Sequence, residues 1–109
     1  FMDAGHRLRF HLAAVLVNNF TNALYAAAFD LTGSGKNNKH ADLFLPLIRQ
    51  TVAKLGNLLP LLAQTGPAKR GDAVVMKKHL RLIADKPELK IIYKRLSELI
   101  IKQQSDAKF

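Results

Sequence analysis

Between Leu12 and Phe29 apolar side chains point to nearly every side of a 3.6-residue turn, and from Asp3 onward nothing breaks the helical pattern. That distribution predicts a first helix from about Asp3 to Phe29, central and buried rather than lying on a surface. Gly33-Ser34-Gly35-Lys36-Asn37-Asn38 then reads as a flexible loop. A second helix is predicted from near Asp42, with Pro46 in its first turn and Leu47, Ile48, Thr51, Val52 and Leu55 at helical spacing before Gly56-Asn57. Leu58 to Ala63 forms a short apolar turn. Ala73 to Ala84 carries Met76, Leu80 and Ile83 on one stripe, and a last helix from Pro87 repeats Leu89, Ile92, Tyr93, Leu96, Leu99 and Ile100. No strand-like alternation of useful length occurs, so the predicted fold class is all-α: one multi-helix domain over residues 1–109 with a long central first helix.

The segment Gln64 to Asp72 is more specified than a connection requires. Gly66 supplies a left-handed residue that closes the preceding helix, Pro67 prevents its continuation, and Asp72 sits where an N-cap belongs. Those roles make Gly66, Pro67 and Asp72 structural. They leave Thr65, Lys69, Arg70 and Gly71 without an architectural task, and Arg70, beside a helix start, is a natural contact for a phosphate or carboxylate.

On the first helix, His11, Asn18, Thr21, Asn22 and Tyr25 recur at i, i+7, i+10, i+11 and i+14, a polar seam on an otherwise apolar rod. Buried amides and hydroxyls must be paired, so the seam either locks helices in register or lines a ligand cavity. His79 shares a face with Val75 and Ile83 and reads as a hydrogen-bonded, half-buried histidine. The four histidines lack the spacing and carboxylate company of a metal site, and none is expected. Ser34 and Ser105 have no base nearby in sequence, so no catalytic residue is assigned.

A net charge of +9 raises the question of nucleic acid. The basic residues are spread along helix faces, aromatic content is 7% and tryptophan is absent, so nucleic acid is not favoured. The alternative it leaves is a basic helical interaction module for nucleic acid or an acidic protein. The chain has no cysteine, which suits a cytoplasmic setting. Its longest fully apolar run, Leu12 to Val17, is short of the ~20 residues a bilayer needs, so no membrane span is expected. Phe1-Met2-Asp3 does not read as a natural start, and a piece of a longer protein is expected. Apolar helix surface exceeds what one small chain covers, which predicts a homodimer built on the first and last helices.

Taken together, His11 with Ala13-Ala14-Val15 and Asn18-Asn19-Phe20, Leu47 with Thr51, Thr65-Gly66-Pro67 with Arg70-Gly71-Asp72, and His79-Leu80 carry a resemblance over nearly the whole chain. The chain resembles the C-terminal helical domain of a family in which a domain of unknown function follows a Rossmann-like nucleotide-binding domain. That family is similar to pyrroline-5-carboxylate reductase and 6-phosphogluconate dehydrogenase, whose helical domains dimerise and complete the active site beside the cofactor. The resemblance implies an NAD- or NADP-dependent oxidoreductase with an N-terminal Rossmann-like domain, an unidentified small-molecule substrate, and a 6-phosphogluconate dehydrogenase C-terminal-domain-like fold. It makes His11, Asn18, Asn22, Thr65 and Arg70 the candidates facing substrate or cofactor. The related hydroxyacid dehydrogenases place a catalytic lysine one turn before an asparagine. Here Ala14 and Val15 stand one turn before Asn18 and Asn19, so that role is not carried over. The chain contains no Gly-x-Gly-x-x-Gly, so the helical piece alone is expected to bind no dinucleotide.

Overall fold

The computed structural model describes residues 3–33 and 35–107, and the chain is all-α, with no strand among them. Ser34, within the predicted flexible loop, lies outside the described residues. Two compact units, Phe1–Leu47 and Ile48–Phe109, divide it within one helix.

In the first unit Asp3 caps α1 (Ala4–Ala14), accepting from the His6 amide at 2.8 Å. The helix runs on without a break through a π-helical segment, Val15–Phe20, into α2 (Thr21–Leu31). Thr32 and a left-handed Gly33 (φ +76°) end it. The rings of Phe29 and Phe44, centroids 5.0 Å apart, bring the start of α3 (Ala41–Lys54) against α2. Because α3 begins at Ala41, Pro46 falls beyond the first turn, where its missing N–H leaves the Asp42 carbonyl without its helical partner.

The expectation of a buried first helix is not met: none of its described residues is buried, and Val17 is 76% exposed. A rod that is apolar all round needs neighbours on every side, and the other elements of its own unit leave most of it uncovered. The sequence reading of membrane span is corrected in one respect. Ala4–Leu31 forms 28 continuous helical residues with a window of mean hydropathy 1.3, enough by length and composition to cross a bilayer. An unbroken-run criterion missed this because Asn18 interrupts the run; the core helix of a globular protein meets the same test.

In the second unit the predicted turn and loop each contain a turn of helix: α4 (Pro60–Ala63) and α5 (Pro67–Arg70). Gly66 and Pro67 therefore start a helix rather than close the preceding one: α4 already ends at Ala63 with Gln64 extended, Gly66 is the N-cap of α5, and Pro67 follows where its fixed φ is an advantage. α6 (Ala73–Leu82) and α7 (Pro87–Asp106) follow, joined by residues 83–86 with the Lys86 amide donating to the Ile83 carbonyl at 2.9 Å. Ala68 of α5 and Ile83 at the end of α6 are the buried apolar residues among those described, at 6% and 5% exposure. Gln104 Nε2 donates to the Leu61 carbonyl at 3.0 Å and ties α7 to α4. The predicted stripe of α7 is split. Leu89, Tyr93 and Ile100 are half-buried, whereas Ile92, Leu96 and Leu99 are exposed, because α5 and α6 cover only one side of the helix.

Candidate functional site

The segment between α4 and α6 owes its shape to two glycines and a carboxylate. Gly66 adopts φ +104° and Gly71 φ +69°, conformations that L side chains resist, and α5 is suspended between them. Gly71 thereby acquires a task that its sequence context did not reveal: it is the left-handed C-cap of α5. Asp72 caps α6 as expected, its Oδ1 accepting from the Val75 amide at 3.2 Å. Its other oxygen lies 3.8 Å from an Arg70 guanidinium nitrogen, a loose and mostly exposed ion pair. Thus the carboxylate occupies the helix start, with the arginine loosely beside it. Ala68, small enough to be buried between the glycines, anchors the turn against the rest of the unit.

Thr65 lines a cavity of about 190 Å3 with Thr51, Lys54, Leu55, Pro60, Ala63 and Gln64. Thr51 and Thr65, far apart in sequence and both in the motif set of the resemblance, meet here. Lys54 is the polar lining residue that sequence reasoning missed, while Gln64 opens the segment already singled out without being a site candidate itself. The available signal was the i, i+3, i+4 spacing of Thr51, Lys54 and Leu55, which puts an ammonium beside a hydroxyl on one helix face. Gln64 Nε2 donates to the Thr65 carbonyl at 2.9 Å and so fixes its own carboxamide at the cavity wall. Arg70 does not line this cavity.

The other three candidates, His11, Asn18 and Asn22, lie exposed on the long helix of the first unit. The π-helical segment changes their relation. A π turn takes one residue more than an α turn, so positions beyond it are rotated by about 100° against those before it. Asn22 and Tyr25 remain on one face, and His11 leaves it; the continuous five-residue seam is an artefact of assuming one regular period. Thr21 Oγ1 donates to the Leu16 carbonyl, five residues back, at 2.9 Å. That hydroxyl is part of the π turn rather than of a ligand site. His79, expected as a hydrogen-bonded structural histidine, places Nδ1 2.7 Å from the Tyr93 hydroxyl, with the rings edge-on at 5.7 Å. Desolvation by burial raises the Tyr93 hydroxyl above the ordinary tyrosine value of 10.0. No group of metal-ligating side chains occurs among the described residues.

Residues 1–100 match the family described as Domain of unknown function (DUF2520), and the chain belongs to that family. It is similar to part of the crystal structure of a putative NADP oxidoreductase from Bacteroides fragilis. The two share 45% identity with a TM-score of 0.86, covering 94% of this chain and 39% of that one. The chain therefore spans about 39% of the length of that oxidoreductase. No curated protein matches it.

Proposed function

We propose that the chain is the helical, substrate-side domain of an NADP-dependent oxidoreductase, C-terminal to a Rossmann-like nucleotide-binding domain, and that it pairs with a second copy of itself. The observation that carries this reading is the 45% identity across 94% of the chain to a stretch of a longer putative NADP oxidoreductase. NADP rather than NAD follows the name of that relative. Kinship with pyrroline-5-carboxylate reductase and 6-phosphogluconate dehydrogenase is part of the same reading, as is a cytoplasmic setting for a cysteine-free chain.

The described residues lack the Rossmann-type cradle that holds a dinucleotide's diphosphate. They contain no strand followed by a glycine-rich turn and helix start, and at the start of α6 the Val75 amide is taken by the Asp72 carboxylate. The reading therefore assigns the dinucleotide to the remainder of the longer protein, and to this chain the substrate. Thr51, Lys54 and Thr65, around one cavity, offer two hydroxyls and an ammonium to a polar substrate group. Arg70 adds a cation on the neighbouring turn. Asn18 and Asn22 project from the long helix, and their amides argue against a bilayer as its environment, since an unpaired amide in hydrocarbon is costly. The exposed apolar faces of the long helix and of α7 are what a second copy would cover.

Calorimetry with NADPH tests the division of labour. The full-length protein should bind NADPH, while residues 1–109 alone, with their helicity intact by circular dichroism, should bind it weakly or not at all. Tight binding by the helical piece would overturn the assignment.

A further inference from the structure

Lys77 and Arg81 stand one turn apart on α6, and Lys90 and Lys94 stand one turn apart on α7. With Leu80 and Ala84 these four cations line an open cavity of about 300 Å3. No carboxylate lines it. Three cations elsewhere in the same unit have acidic partners: Arg95 with Glu98 at 3.0 Å, Lys102 with Asp106 at 3.0 Å, and Arg70 with Asp72. Among the described residues none of the four groove cations has such a partner.

This arrangement is unfavourable for a surface without a ligand. Like charges one turn apart on a helix repel, and here two such pairs line one groove. Lys90 is also half-buried and near the start of α7, the end of a helix where the backbone dipole disfavours a cation. Leu80 and Ala84 form the apolar part of the groove, between the two pairs of cations. An anion with more than one negative group, bridging the two helices, would relieve all of these costs together.

We propose that the groove between α6 and α7 binds a small phosphorylated molecule, its adjacent phosphate oxygens shared between the Lys77–Arg81 and Lys90–Lys94 pairs and its apolar part resting on Leu80 and Ala84. The site is separate from the Thr51–Thr65 cavity, and the proposal does not depend on the NADP reading. Inorganic diphosphate is the probe, titrated into the full chain by calorimetry. The expected result is saturable one-to-one binding, weakened about tenfold or more by Lys77→Gln combined with Lys90→Gln. The control, Arg95→Gln with Lys102→Gln, removes the same charge outside the groove and should leave binding unchanged. Because the groove variant removes repulsion and no ion pair, its melting temperature should not fall. Absence of saturable binding overturns the proposal, and so does an equal loss in groove variant and control, which marks general electrostatics. Displacement of diphosphate by NADPH would overturn the separateness of the site. A short DNA duplex that binds through these lysines where diphosphate does not would replace the small ligand with nucleic acid.

Discussion

Tyr93 donates to His79 Nδ1 when the imidazole carries its proton on Nε2, and the bond joins α7 to α6 inside the second unit. Because the folded chain holds the phenol above its ordinary pKa, the folded state keeps a proton that the unfolded state releases as pH climbs past about 10. Stability is thus full below that value and declines above it. Tyr93→Phe should remove this alkaline decline and, at neutral pH, cost about 1 kcal/mol through the lost hydrogen bond; urea unfolding at pH 7 and pH 10.5 measures both. Two neighbours, Arg70 and Asp72, separate architecture from ligand contact. Asp72→Ala should lower stability by about 1 kcal/mol by uncapping α6, whereas Arg70→Ala, losing a partly exposed 3.8 Å ion pair, should leave the melting temperature nearly unchanged and, on the proposed function, weaken substrate binding by the longer protein. If Arg70→Ala unfolds the domain and spares affinity, the turn is architecture alone.

At the scale of elements, the π-helical segment decides which residues of the long helix share a face. The Thr21 hydroxyl reaches the Leu16 carbonyl across the widened turn, a bond that a regular α-helix would not offer at that separation. Thr21→Val keeps shape and volume and removes it. The expected outcome is a shift of Val15–Phe20 toward α-helical hydrogen bonding, seen in amide exchange and carbonyl chemical shifts, with stability changed by no more than about 1 kcal/mol. An unaltered pattern would mean that the hydroxyl follows the π turn rather than holding it. α5 makes the complementary point: a single turn of helix could not persist alone, and it is held by the burial of Ala68 between two left-handed glycines.

For the whole molecule the dominant fact is exposed apolar surface. Leu8, Phe10, Leu12, Leu16, Val17 and Phe20 on the long helix, and Ile91, Ile92, Leu96, Leu99 and Ile101 on α7, are all more than a third exposed. Surface of that extent and continuity on a chain of net charge +9 is a docking surface or an aggregation hazard. Light scattering at tens of micromolar should return twice the chain mass, and Val17→Glu should return the monomer with helicity retained. A monomer in the parent would remove the homodimer from the proposed function and leave the remainder of the longer protein to cover these faces.

The helices themselves were legible in the sequence, because apolar periodicity, the proline at the start of α7 and the Asp72 cap act over a few residues and depend on little else. So was the structural character of His79, since a lone histidine between Val75 and Ile83 has to face a neighbour. What sequence could not settle was everything that depends on phase or on company. The π turn changes the rotation of half a helix without altering its composition, so the seam drawn through His11 and Asn22 did not survive. α5 is fixed by burial rather than by propensity, and the cavity joining Thr51, Lys54 and Thr65 brings together groups from separate elements. The four-cation groove likewise exists because residues 83–86 turn α7 back beside α6, and no local pattern of lysines encodes that turn's direction. Local free energies choose the elements; only tertiary packing chooses which of their faces meet.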